Sequence, residues 1–376
     1  MSDLTLVTGY WPQKHDHIRT GAVYVRLFDE LARHIDGRIP IVARPDPSVE
    51  SATREIAAKW PGSILVEPLP VEDLRYSRSQ FPDLQPAENC QPIRDTIEYA
   101  TLVWSKPATV LSVAEKNPFH TSHFGWIDFG IPHVAELLDV DWGAVEKACT
   151  KTSKIRLCER MATALTEAED PYYFYSTNSA RMCGGLITGS KESIAELAEI
   201  FDTEIARMTA TGTYALEEQV LAAATALRPE LFDTWYGCYY GVLTNVAGLR
   251  RDATMVLENL RHCANEELWD KGCHVANYLL KSGEEYFHLI PDQCFELLDA
   301  GLICALRSDP ELADRLGKTA ISLYHYSRVG RGMMRGMWRK SLQDSLKEID
   351  LDFSMKPWSW DEFANRPDFR VWLSCF

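Results

Sequence analysis

Apolar positions follow two rhythms along this chain. Leu4–Val7, Ile39–Ala43, Ser63–Val66, Phe124–Ile127, Lys154–Leu157 and Gly184–Thr188 are short compact runs of the kind that buried strands show. Tyr24, Leu27, Phe28, Leu31 and Ile35 instead recur at spacings of three and four, which predicts an amphipathic helix. Ile194, Leu197, Ala198, Phe201, Ile205 and Met208 predict another. Strand, helix and strand in this order imply an α/β fold with a parallel sheet and crossover helices. Helical spacing also runs through Tyr99, Leu102, Val103, Val110 and Ala114, with Pro107 opening a second helix. Residues 68–95, rich in Pro, Asp, Gln and Arg, read as a long surface loop.

The rhythm changes after about Asn245. Residues 250–346 carry only helical spacing, with breaks expected at Gly272, Gly283, Pro291 and Pro310. The aromatic tail, 351–376, reads as an irregular strap. The expected division is a sheet-bearing domain over 1–248 and an all-helical region over 249–376.

Composition narrows the class. The 376 residues are 46% hydrophobic and 25% charged, ordinary for a globular protein. No run is apolar enough to span a bilayer, and the first residues carry no secretory pattern, so a cytoplasmic protein is expected. Ten cysteines without a CxxC pair fit reduced thiols better than a disulfide framework or a zinc site. A formal net charge of −15 counts against sequence-independent binding to nucleic acid.

Candidate chemistry gathers around Asp128. It follows an apolar strand, and ligands of open α/β sheets bind at the carboxyl ends of strands. A carboxylate there can hold a divalent metal against a diphosphate; equally, it can cap a helix over 132–140 or pair with an arginine. Lys106 reads as a phosphate contact or as a solvated lysine at a helix start. Thr8, Gly9 and Tyr10 end the first strand and mark a ligand-gripping turn or an ordinary one. Gly184 and Gly185 allow close backbone approach to a ligand or form a bulge. Glu217 and Glu218 open a helix, where acids favour the dipole or serve a site. His15-Asp16-His17 forms a polar cluster, and Arg328–Lys340 is a basic stretch best read as a solvated face.

The runs Ser105-Lys106-Pro107, Asn117-Pro118-Phe119 and Trp126-Ile127-Asp128-Phe129-Gly130 resemble the HtrL/YibB (WlaTC-type) family, which is read as bacterial and viral glycosyltransferases. Gly184–Gly189, Glu217-Glu218-Gln219 and Trp235-Tyr236-Gly237 support the resemblance, which spans roughly residues 4–245. It implies a GT-A-like fold, a nucleotide-sugar donor and a hydroxyl acceptor such as a surface glycan. It implies donor contacts at Thr8, Gly9, Tyr10, Lys106, Trp126, Asp128, Gly184, Gly185 and Gln219, with catalytic acids among Asp128, Glu217 and Glu218. It also implies a divalent metal, Mn or Mg, at Asp128. Two departures stand out: the usual Asp-x-Asp has Gly130 in place of its second acid, and Cys238 follows Trp235-Tyr236-Gly237 where the family carries an acid. These departures keep open a non-catalytic platform that binds a partner through its helical region. A transferase acting on modified nucleic acid is a further alternative, against which the net charge counts.

Overall fold

The computed structural model describes residues 2–13, 20–138, 140–247, 253–282, 291–326, 344–349 and 357–366. The His15-Asp16-His17 cluster, Gly283 and the basic stretch Arg328–Lys340 lie outside the described residues. The chain divides into two compact units. The first joins Met1–Glu159 to Thr163–Leu249; the second joins Arg160–Ala162 to Arg250–Phe376.

The first unit begins with β1 (Leu4–Tyr10), α1 (Gly21–Ile35), β2 (Ile41–Pro45), α2 (Glu50–Ala57), β3 (Ile64–Val66) and β4 (Gln85–Pro86). Then come α3 (Ile97–Trp104), α4 (Lys106–Lys116), β5 (His123–Ile127), α5 (Trp142–Cys149), β6 (Ile155–Glu159), α6 (Leu165–Glu169) and α7 (Pro171–Phe174). It ends with β7 (Met182–Ser190), α8 (Lys191–Thr209), β8 (Thr213–Tyr214), α9 (Glu217–Leu227), β9 (Phe232–Tyr236) and α10 (Val242–Val246).

Seven strands form one sheet in the order β3-β2-β1-β5-β7-β6-β9. β1 pairs in parallel with β2 and β5, β2 with β3, and β6 with β9. β7 alone runs against its neighbours β5 and β6. The fold is therefore α/β with a mostly parallel sheet, as expected. Six carboxyl ends and the start of β7 share one edge. β1 and β7 are buried along their whole length, which explains why they read as apolar runs without alternation. Helices seal the sheet: α1 buries Phe28, Leu31, Ala32 and Ile35, and α8 buries Ile194, Leu197, Phe201, Ile205 and Met208.

Local chemistry sets the element that matters most for the site. α3 stops at Trp104 because Pro107 lacks an amide hydrogen to continue the ladder. The Ser105 hydroxyl turns back to the Thr101 carbonyl, and α4 restarts at Lys106. The break leaves Lys106 in the first turn of a new helix packed on β5.

Three expectations are corrected here. No helix runs through 132–140 among the described residues; a single 3-10 turn spans Ile131–His133 instead. Segment 68–95 is not a surface loop throughout, since Leu74, Tyr76 and Ala87 are buried in the core and Gln85–Pro86 pairs with β8. Gly272 is not a helix break, as the second unit shows.

That unit contains α11 (Ala253–Asn265), α12 (Trp269–Ser282), α13 (Pro291–Ser308), α14 (Pro310–Tyr326) and the short α15 (Trp360–Ala364), with no strand among the described residues. Pro291 and Pro310 each open a helix, where their missing amide hydrogen costs nothing. Gly272 sits inside α12, where a Cβ would lie 2.2 Å from the Cys304 sulfur of α13. The glycine is there for close helix contact, not for a turn.

Candidate functional site

Asp128 directly follows β5. Its amide donates to the Gly185 carbonyl at 3.0 Å and its own carbonyl accepts from Ile131 at 3.0 Å, so the backbone is held on both sides. Oδ1 accepts the Trp126 indole N–H at 2.6 Å and faces the Lys106 ammonium at 2.9 Å. The side chain remains 34% exposed. Trp126 is buried, lies parallel to Trp11 with ring centres 6.4 Å apart, and lies beneath the Lys106 ammonium at 5.6 Å. Its function in this arrangement is to aim Asp128.

Lys106 is 5% exposed. Its Nζ meets Glu217 Oε1 at 2.6 Å, Asp128 Oδ1 at 2.9 Å and the Gly184 carbonyl at 3.1 Å. Two hydrogen bonds, to Glu217 and the Gly184 carbonyl, and an ion pair with Asp128 hold it within the fold. Burial works against its charge, but Asp128 and then Glu217 outweigh that, and the pKa is raised.

Glu217 and Glu218 begin α9 and part company there. Consecutive helical residues point about 100° apart, since a turn holds roughly 3.6 of them. Glu217 is buried against Lys106. Glu218 is half-buried and accepts a short hydrogen bond from the Tyr239 hydroxyl. That hydroxyl in turn accepts from the Gly184 amide at 3.0 Å. Burial, followed by the Glu218 charge, pushes the Tyr239 phenol well above its ordinary value. Gln219 turns inward: Oε1 accepts from the amide and hydroxyl of Ser179 at 3.0 and 2.7 Å, and Nε2 donates to the Phe174 carbonyl at 2.8 Å. Its amide ties α9 to the 174–179 segment.

Gly184 and Gly185 lie in a bulge. On β6, Leu157 and Cys158 are adjacent, yet they pair with Ile187 and Cys183 on β7, leaving residues 184–186 over. A Cβ on Gly184 would lie 2.5 Å from Glu217 Oε1. One on Gly185 would lie 2.8 Å from the Ile131 side chain and 3.5 Å from both Asp128 Oδ2 and the Tyr239 ring. The first glycine lets Lys106 reach Glu217. The second lets the Ile131 side chain, Asp128 and the Tyr239 ring close in over the strand backbone.

Thr8, Gly9 and Tyr10 are buried at the carboxyl end of β1, on the same sheet edge. The Thr8 hydroxyl has no hydrogen-bond partner among the described residues. Trp11 packs over Gly9, and Tyr10 stacks on Tyr24 and on Phe129, the residue after Asp128. The structure thus brings Lys106, Trp126, Asp128, Gly184, Gly185, Glu217 and Glu218 together, and adds two tyrosines. Tyr239 lies one residue beyond the Cys238 position that the family comparison draws attention to. Tyr99, on α3, has its phenol raised by burial and by the charges of the same cluster. Nothing in the sequence pattern marks either tyrosine.

The residues do not fit a divalent metal. Among the described residues, no three His, Cys, Asp or Glu side chains group closely enough to hold one. Position 130, the second place of an Asp-x-Asp pair, is glycine. The carboxylates of Asp128 and Glu217 already converge on an ammonium.

The family comparison agrees with the resemblance read from the sequence. Residues 72–247 match the sequence model of HtrL_YibB, described as a bacterial protein of unknown function. No curated protein matches the chain. Among solved structures, the chain is similar to mouse xyloside xylosyltransferase 1 in its apo form, with 8% identity and a TM-score of 0.35. The similarity covers 62% of this chain and 84% of that one. No helix among the described residues is long and apolar enough to cross a membrane. Lys106, Asp128, Gly184, Glu217, Glu218 and Tyr239 all lie within the stretch, 72–247, that matches the HtrL_YibB model.

Proposed function

We propose that the sheet-bearing unit is a glycosyltransferase that moves a sugar from a nucleotide-sugar donor to a hydroxyl acceptor such as a surface glycan. The observation that carries this reading is the pair of part-exposed carboxylates, Asp128 and Glu218, at the carboxyl edge of the sheet, with Asp128 and the tyrosine that holds Glu218 both beside Gly185. Ligands of open α/β sheets bind at that edge. In such a transfer the acceptor oxygen forms a bond to the anomeric carbon as the bond to the diphosphate oxygen breaks, and the hydroxyl proton needs a base. Glu218 suits that role: it reaches solvent, and the Tyr239 hydroxyl fixes its orientation. Asp128, aimed by Trp126 and Lys106, suits acceptance of hydrogen bonds from sugar hydroxyls. Glu217 is spent on Lys106 and serves to hold it.

A second reading has its own observation. Lys106 is buried and held by Glu217, Asp128 and the Gly184 carbonyl, so it is not extended toward a diphosphate. A platform that binds a partner without turnover would also tolerate Gly130 in place of an acid. A panel of nucleotide sugars and nucleoside diphosphates, read by thermal unfolding, tests the first reading. At about 100 times its Kd, a true ligand stabilises the fold by about 2.7 kcal/mol. At least one member should raise Tm in a concentration-dependent way. Silence across the panel would leave the platform reading.

A further inference from the structure

We infer that the Lys106 ammonium fills the place between Asp128 and Glu217 that a divalent cation would need, so that the cluster works without a metal and faces uncharged hydroxyls rather than the diphosphate. The inference deepens the transfer reading above by naming the part of the donor that meets this cluster.

Geometry comes first. Asp128 Oδ1 and Glu217 Oε1 converge on Nζ at 2.9 and 2.6 Å. A magnesium ion there would need oxygens at about 2.0–2.1 Å in near-octahedral order. The lysine cannot simply move aside. It is buried, enters from the first turn of α4, and also donates to a backbone carbonyl. Displacing it would strand a desolvated ammonium, a cost of several kcal/mol by general experience. The remaining carboxylate, Glu218, is bound to a phenol that donates to it, and a cation would compete with that bond.

Charge decides what the cluster faces. Asp128, Glu217 and Glu218 are three acids, and Lys106 supplies one cation to them. The balance is anionic, which repels a diphosphate and suits the hydroxyls of a sugar, whose hydrogens need acceptors. The exposed guanidinium of Arg94, clamped on buried Asp95, lies near enough to Glu218 for that charge to help raise its pKa after the larger effect of Asp95.

The test reads metal binding directly. Mn²⁺ is titrated into the full chain and followed by the paramagnetic resonance signal of the free ion, for the wild type, Asp128→Asn, Lys106→Ala and the double variant Lys106→Ala/Asp128→Asn. The wild type should show no Mn²⁺ binding that Asp128→Asn removes. Lys106→Ala, with two carboxylates left facing each other, should gain a Mn²⁺ site that the double variant loses. A wild-type site lost in Asp128→Asn overturns the inference, and so does a folded Lys106→Ala that gains none. If Lys106→Ala does not fold, the comparison of wild type with Asp128→Asn decides alone. Since no turnover is measured, failure here is separate from silence across the nucleotide-sugar panel.

Discussion

Lys106 and Glu217 stand 111 residues apart in the chain and meet in the core at 2.6 Å, tying the first turn of α4 to the first turn of α9. Both are about 5% exposed. Removing one partner of a buried pair typically costs about 3–5 kcal/mol, because the other charge is left without compensation. Glu217→Ala should therefore lower Tm by several degrees. Glu218→Gln, which changes a half-buried group, should stay within about 0.5 kcal/mol of wild type. Chemical denaturation of both variants checks the contrast; equal losses would mean that the neighbouring acids do not divide their roles as described.

Turnover should show the reverse order. If Glu218 takes the acceptor proton, Glu218→Gln should cut kcat by about 10²–10⁴-fold, the usual contribution of a positioned base. Asp128→Asn keeps the size and the Trp126 hydrogen bond but takes one of two carboxylates from the buried Lys106 ammonium, so it should cut kcat/KM and lower Tm less than Glu217→Ala does. An Asp128→Asn protein that melts early and turns over normally would make Asp128 a structural residue.

The bulge sets a third expectation. Gly184→Ala would put a Cβ 2.5 Å from Glu217 Oε1 and 3.1 Å from its Cδ, so the carboxylate must shift from Lys106. Both Tm and turnover should fall. Gly185→Ala crowds Ile131 at 2.8 Å and touches Asp128 and Tyr239 at 3.5 Å, away from the Lys106–Glu217 pair, so KM for the donor should rise more than stability falls. Thermal melts and steady-state kinetics of the two variants separate these outcomes.

The pH dependence follows from two raised groups. Lys106 has its folded pKa raised above the unfolded value of about 10.4. Its contribution to stability is therefore fully present below that unfolded value and is lost as pH rises through the folded one. Tyr239 is also raised, by burial first and Glu218 next, and keeps its proton through the same range. The rate profile should thus show no basic limb from either group between about pH 8 and 10. Tyr239→Phe should leave that region unchanged while lowering kcat, since it removes the donor to Glu218 and the acceptor for Gly184. A basic limb that disappears in Tyr239→Phe would assign a titrating role to the phenol.

Much of the frame is legible in the sequence because parallel strands are buried on both faces. Leu4–Val7 and Phe124–Ile127 stand out for that reason, and Asp128 stands out for following one of them. Lys106 is marked by the proline behind it, which forces a new helix. What the sequence hides is set by partners far away in the chain. Gly272 looks like a break because its reason, Cys304, lies on another helix. β9, at the sheet edge, carries two half-buried polar residues, Asp233 and Thr234, in its middle and lacks an apolar run. The choice between Glu217 and Glu218 depends on how α9 is turned, and Tyr239 sits in a loop with no periodicity. The spacing of Lys106, Asp128 and Glu217 gives no sign that one ammonium joins them.

The most direct test of the transferase reading is hydrolysis and transfer from nucleotide-sugar donors by the full chain, with Glu218→Gln beside it in chelator-treated buffer. The account predicts that the wild type releases nucleoside diphosphate from at least one donor without added metal, and that Glu218→Gln is slower by at least about 10²-fold at unchanged Tm. Equal rates in the two proteins, or release that requires Mn²⁺ and is lost in Asp128→Asn, would contradict it.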